Sequence, residues 1–165
     1  MNEPSFATKA PVAWRPAGLI SWYAPDGKPL VLVTSWIALV GGSLPRLRTA
    51  WCGCFDSDSC YWPGGDFVLN VPQECDLETI SRIMDKGKFC LQAEEELNYS
   101  CLLGIAAIAP RLLECAVQIE CVAGRLIETD FEAELCGDVA RVHRDGVNLD
   151  SFEIPDLCAI DPLRP

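Results

Sequence analysis

The chain has one histidine, His143, and thirteen basic residues against twenty-four acidic ones, a net charge of −11 over 165 residues. With a single imidazole, no Ser/His/Asp or Cys/His constellation can be argued from the sequence. A satisfied structural histidine is a simpler reading than a proton shuttle. The acidic balance repels phosphate backbones and anionic lipid, so neither nucleic acid nor membrane is an expected partner. Long apolar runs are also missing. The longest, residues 30–40, is interrupted by Thr34 and Ser35 and is shorter than the about 20 residues a bilayer span needs. Residues 1–11 carry Glu3 and two prolines where an export signal would need an apolar core. A soluble, cytoplasmic protein is therefore expected. There is no G-x-G-x-x-G nucleotide fingerprint, no internal repeat and no long linker, so residues 1–165 are expected to form a single domain.

Half the residues are apolar and 22% are charged, a balance that favours a folded globular protein. Ten cysteines would suggest disulfides in a secreted chain, but without an export signal reduced thiols are expected. Cys90, Cys101, Cys115, Cys121, Cys136 and Cys158 sit among apolar neighbours, where they can act as small hydrophobes. Cys52, Cys54 and Cys60 form a three-thiol cluster within nine residues. That spacing matches no standard zinc motif, and no nearby histidine completes a tetrahedron.

The first half of the chain reads as strands. Residues 18–23 and 30–38 flank a turn over residues 24–29 with Asp26-Gly27 at its centre, a hairpin pattern. Gly41, Gly42 and Pro45 mark the next turn, and residues 47–51 and 66–71 are further strands. Residues 76–89 carry helix formers, with Asp76 as the expected N-cap ahead of Leu77, Ile80, Ile83 and Met84. Glu94, Glu95 and Glu96 read as a solvated face, and periodicity does not choose between helix and strand for residues 102–108. Strands return at 115–121, 123–129 and 135–143, followed by a polar tail. Many short strands, one or two short helices and no βαβ rhythm predict a mainly β protein, an antiparallel barrel with helical insertions.

Six segments together resemble the flavin-reductase-like FMN-binding split-barrel family, in particular its flavoredoxin-type branch. Residues 26–36 (DGKPLVLVTSW) are similar to its hairpin leading into a T-x-S-W strand, and 45–50 (PRLRTA) to the strand that follows. Residues 67–72 (FVLNVP) resemble its F-V-V-N-x-P strand, and 109–121 (APRLLECAVQIEC) its A-P-L-I-E-E-C-P-V-N-L-E-C segment. Residues 137–143 (GDVARVH) and 156–163 (DLCAIDPL) resemble the last strand and the ending. The order and spacing of these segments over almost the whole chain carry the resemblance.

The resemblance implies an antiparallel split β-barrel that works as a homodimer with FMN near the subunit interface. It places Thr34, Ser35, Trp36 and Ile37 at the flavin, with Ser35 as a hydroxyl contact and Trp36 as a backbone contact. The segment after Ala50 adds Ala50, Trp51, Cys52, Gly53 and Ser57. Asn70, polar among apolar neighbours, is either a flavin contact or a structural backbone bond. The family's basic pair after the alanine is replaced here by Cys52 and Gly53, and Asp56 and Asp58 lie nearby. FMN binding is therefore expected to be weakened, with Arg46 and Arg48 as the nearest substitutes. The activity implied is that of an FMN-dependent reductase taking hydride from NAD(P)H. Alternatives are a non-enzymatic electron carrier docking on a redox partner protein, and a cofactor-free or metal-binding interaction module.

Overall fold

The Pro25-Asp26-Gly27 turn starts the sheet. Gly27 takes a positive φ of 84°, which a side chain would oppose. Its N–H donates to the Ala24 carbonyl at 2.8 Å, and the Asp26 carboxylate accepts from the Lys28 N–H at 3.1 Å. The flanking strands β1 (Gly18–Tyr23) and β2 (Pro29–Thr34) pair antiparallel, from Tyr23 opposite Pro29 to Gly18 opposite Thr34. This computed structural model describes residues 18–34, 37–40, 45–51, 62–86, 90–128, 133–144 and 147–148.

Both strands are apolar without strict alternation because both their faces are covered. Ile20, Trp22, Leu30 and Leu32 point to one side, into a core with Leu47, Phe67, Leu69, Ile119 and Leu135. Leu19, Val31 and Val33 point to the other side, where Ile80, Met84, Leu91, Tyr99 and Leu112 cover them. Ile80 and Met84 belong to α1 (Glu74–Asp85), so the one long helix is a lid on the outer face of the sheet.

The remaining strands are β3 (Ile37–Val40), β4 (Arg46–Trp51), β5 (Gly65–Val71), β6 (Cys90–Gln92), β7 (Cys101–Leu103), β8 (Pro110–Leu112), β9 (Val117–Glu128), β10 (Ala133–Arg144) and β11 (Val147–Asn148). A four-residue helix, α2 (Ala93–Glu96), follows β6. The main sheet runs β3-β4-β10-β9-β5-β1-β2-β6 with β11 on β10, every pairing antiparallel, and β7 and β8 form a separate hairpin. The sheet curls but does not close. A Cβ placed on Gly18 in β1 would lie 3.0 Å from Ile37 Cδ1 in β3, so the β3 end of the strand order curls back toward β1 there. Among the described residues no helix is long and apolar enough to cross a membrane.

The mainly β, antiparallel expectation holds, with local differences. The run 30–38 divides into β2 and β3, and residues 35–36 lie outside the described residues. The two strands expected at 115–121 and 123–129 are one, β9, which continues through a positive φ of 52° at Ala123 beside a register shift against β5. The helix begins two residues before Asp76, with Gln73 at the N-cap position and no side-chain cap bond. Asp76 is instead used in the first turn, where its carboxylate accepts from the Tyr99 hydroxyl at 2.9 Å. The six described cysteines are not joined in disulfides. Burial pushes the Cys121 thiol well above its usual range, and Cys101 up to about 11.

Phe67 fills the space between β5, β9 and β10, and it can do so only because β10 offers a glycine there. A Cβ on Gly137 would lie 2.5 Å from Phe67 Cε1 and 3.1 Å from Cys121 Cβ. Gly137→Ala is expected to overpack the core and lower stability by about 1–3 kcal/mol. Urea denaturation of the two proteins measures this, and an unchanged midpoint would show that the ring can move aside.

Candidate functional site

The residues that the sequence resemblance points to come from separate strands, and pairing register brings the described ones to one corner. Thr34 ends β2 opposite Gly18, and its Oγ1 donates to the Gly18 carbonyl at 3.2 Å. Asn70 on β5 lies opposite Leu19, the next residue of β1. Ile37 reaches over Gly18 from β3 and pairs with Thr49, so Ala50 and the backbone of Trp51 follow directly at the end of β4. Ser35, Trp36, Cys52, Gly53 and Ser57 lie outside the described residues.

Asn70 has the structural role in full. Its Nδ2 donates to the Leu19 carbonyl at 3.0 Å and to Ser21 Oγ at 2.8 Å, and its Oδ1 accepts from the Leu112 N–H at 2.9 Å. Ser21 in turn donates to the Pro110 carbonyl at 2.5 Å. One buried side chain therefore ties β1, β5 and β8 together beside the corner.

The two arginines of β4 are both engaged. Arg46 Nε lies 3.3 Å from Asp138 Oδ1, its register partner on β10. Arg48 donates through Nε (2.9 Å) and Nη2 to Glu134. This hydrogen bond and the carboxylate charge hold the Arg48 guanidinium above its ordinary pKa. Neither is a free positive charge waiting for a phosphate.

A second polar centre, which sequence reasoning did not assemble, lies inside the wall. Glu120 on β9 is fully buried. Its carboxylate accepts from the backbone N–H groups of Ile105 (3.0 Å), Ala106 (2.6 Å) and Ala107 (2.7 Å) in the loop between β7 and β8. His143 Nε2 lies 2.5 Å from Glu120 Oε1, and its Nδ1 lies 3.2 Å from Arg111 Nη1. A guanidinium can only donate, so Nδ1 accepts and the ring proton sits on Nε2, donated to Glu120. Arg111 Nη1 also lies 3.4 Å from Gln118 Oε1, and Gln118 Nε2 donates to the Leu112 carbonyl at 2.8 Å. The signal in the sequence is the pair Gln118 and Glu120 at alternate positions of an otherwise apolar strand, but alternation alone reads as a solvated face. His143 is the satisfied structural histidine expected. Among the described residues no group of side chains is arranged to hold a metal ion.

With curl, edges and corner established, comparison with solved structures is decisive about architecture. Flavoredoxin of Desulfovibrio vulgaris (Miyazaki F) superposes with a TM-score of 0.62 at 19% identity, over 98% of this chain and 86% of that one. The fold is the flavin-reductase-like split barrel. Nitrilotriacetate monooxygenase component B from Bacillus cereus matches at a TM-score of 0.66 and 17% identity, over 87% of this chain and 80% of that one. A 2-nitrobenzoate 2-nitroreductase from Pseudomonas fluorescens matches at 0.65 and 17%, over 85% and 70% of the respective chains. No protein-family model and no curated protein matches the sequence. The likeness to split barrels is thus one of fold, at identities where side-chain roles do not carry over.

The Glu120 carboxyl is pulled two ways: burial raises its pKa, while the Ile105 N–H, His143 and the Ala107 and Ala106 N–H groups lower it, and the lowering wins. A carboxylate depressed in the folded state stabilises fully above its unfolded value, about pH 4.3, and this stability is lost as pH falls through the folded value. Glu120→Gln removes the partner of buried Arg111 and His143 and is expected to cost about 3–5 kcal/mol at neutral pH. The variant should also lose less stability than the parent on acidification below about pH 4. Denaturant titrations across this range test both points; parallel pH profiles would show that Glu120 is not the titrating group.

Proposed function

We propose that the protein is a flavin-binding oxidoreductase that transfers electrons through FMN. The observation that carries this reading is the corner where Thr34, Ile37, Ala50 and Asn70 meet in a flavin-reductase-like split barrel. Its neighbours in fold include a flavoredoxin and a nitroreductase. Asn70 and Thr34 spend their side chains on backbone carbonyls, so they shape the corner rather than supply free donors. Strand β3, by contrast, is an edge among the described residues: it pairs with β4 on one side only. Its other side offers backbone N–H and C=O groups of the kind that suit the polar edge of an isoalloxazine. The residues fit the ring better than they fit the phosphate.

Bound FMN would supply the electron-accepting and electron-donating chemistry. The chain's part would be to present the β3 backbone and to hold the corner rigid through Asn70. The absorption spectrum of the purified protein, with and without added FMN, tests flavin binding directly. Steady-state NADH or NADPH oxidation separates a reductase from a carrier that only exchanges electrons with a partner protein. The acidic surface, with its net charge of −11, supports the carrier as the second reading, since it would steer docking onto a basic partner.

We also propose a homodimer. Large apolar side chains stand exposed along one hairpin: Leu102 and Leu103 on β7, Ile105 and Ile108 in the loop, and Leu113 after β8. Ile108 is 78% exposed in the single chain, and such a grouping is the usual mark of a protein contact. Sedimentation at micromolar concentration is expected to give a dimer. A stable monomer, unchanged by flavin, would refute it.

The phosphate is expected to contribute less affinity than a basic pair would provide, because Arg46 and Arg48 are engaged with acids. A hydrogen bond to a charged group is worth about 1.5–3 kcal/mol, roughly 10- to 150-fold in affinity. Cys52→Arg is therefore expected to tighten FMN by up to that factor, and to tighten riboflavin, which lacks the phosphate, much less. Equal changes for both ligands would show that position 52 does not face the phosphate.

A further inference from the structure

At the opposite ends of β1 and β5 from Thr34 and Asn70, a cavity of about 390 Å³ opens among Trp22, Tyr23, Trp62, Pro63, Gly64, Gly65, Asp66 and Ile108. Three of these residues are electron-rich aromatics, and Asp66 is the one charged residue of the lining. Tyr23 and Trp62 are the part-exposed aromatics of the lining, and Trp22 lies behind them. Trp22 is 1% exposed and belongs to the barrel core. Trp62 stands edge-on to Phe67, with centroids 6.4 Å apart and planes at 83°, and packs over Gly124, where a Cβ would meet its Cζ2 at 2.9 Å.

Asp66 is held in place but not neutralised. Its Oδ2 accepts from the Ile108 N–H at 2.8 Å, and among the described residues no lysine or arginine forms an ion pair with it. The field of Glu94 also reaches Tyr23, and the chain as a whole is strongly acidic. Aromatic faces attract cations through their quadrupoles, and an adjacent carboxylate adds direct charge attraction. A bare metal ion would find only one carboxylate here, too few oxygens to replace its hydration. A weakly hydrated organic cation needs fewer.

We infer that the Tyr23–Trp62–Asp66 cavity is a binding site for a small organic cation of the quaternary-ammonium type. This site is separate from the flavin corner and does not depend on flavin binding. Its occupant packs its methyl groups against Trp62 and Tyr23 and sets its charge toward Asp66. The cavity is large enough for a ligand well beyond four methyl groups, which suits a substituted ammonium.

The test is a titration of the full-length protein with choline and tetramethylammonium, followed by tryptophan fluorescence and calorimetry. The control ligand is 3,3-dimethyl-1-butanol, the neutral carbon isostere of choline. Both cations are expected to give saturable quenching and the isostere about 5- to 30-fold weaker binding, the scale of a cation–aromatic contact. Asp66→Asn keeps an oxygen for the Ile108 N–H, so its melting temperature should stay near the parent's while cation binding weakens by a similar factor. Added FMN should leave the cation affinity unchanged. Equal binding of the isostere, an unaltered affinity in Asp66→Asn, competition by FMN, or no saturable signal from either cation would each overturn the assignment.

Discussion

Burying a carboxylate among apolar strands costs several kcal/mol unless its oxygens are fully bonded, and Glu120 is buried completely. The chain meets this demand by bending the loop after β7 so that three successive N–H groups face the carboxylate. That bend needs Gly104, where a Cβ would lie 2.3 Å from the Ala107 carbonyl and 2.8 Å from Glu120 Oε2. It also needs His143 in one tautomer, with Arg111 behind it. From Arg111 the bonding continues through Gln118 to the Leu112 carbonyl, and from the Leu112 N–H to Asn70, Ser21 and Leu19. One polar chain therefore links β1, β5, β8, β9 and β10. The Asn70 end of that chain stands at the proposed flavin corner, so the carboxylate deep in the wall helps to fix the corner's position.

The open sheet leaves two edges, which are managed differently. A closed barrel has no free edges, whereas this sheet ends at β3 on one side and β6 on the other. The β6 edge is followed at once by α2, whose Glu96 carboxylate accepts from the Gln92 N–H at 2.6 Å. The β3 edge has no such cover among the described residues. Apolar contact between Ile37, Leu69 and the bare Cα of Gly18 draws it toward β1.

Much of this was legible in the sequence because it depends on local chemistry. The Asp26-Gly27 turn and the apolar runs around it set β1 and the start of β2 to within a residue, and Ile80 and Met84 at helical spacing identified the buried face of α1. The resemblance in order and spacing then gave the fold. What stayed hidden were features whose causes lie far apart in the chain. Glu120 meets His143 across 23 residues, and Asn70 meets Leu112 across 42. Periodicity carries no information about such pairs. The N-cap expectation for Asp76 failed for a related reason: a distant hydroxyl, Tyr99, competes for the carboxylate. Arg46 and Arg48 looked available because their acidic partners, Asp138 and Glu134, lie 92 and 86 residues downstream.

Those arginine pairs decide the electrostatics of the proposed cofactor corner. Exposed ion pairs of this type add little stability, so their main effect here is on what else can bind. β4 presents two guanidinium groups near Ala50, yet β10 presents a carboxylate for each, and the local sum is close to zero. A phosphate approaching this strand meets dipoles instead of a net positive field. Anchoring by phosphate then depends on backbone N–H groups, which attract anions more weakly than unpaired arginines but orient them well. In the proposed complex more of the recognition would fall on the isoalloxazine itself, along the open side of β3. A flavin held mainly by its ring keeps its redox-active part fixed while its tail contributes little, so discrimination between flavins that differ only in the tail should be shallow.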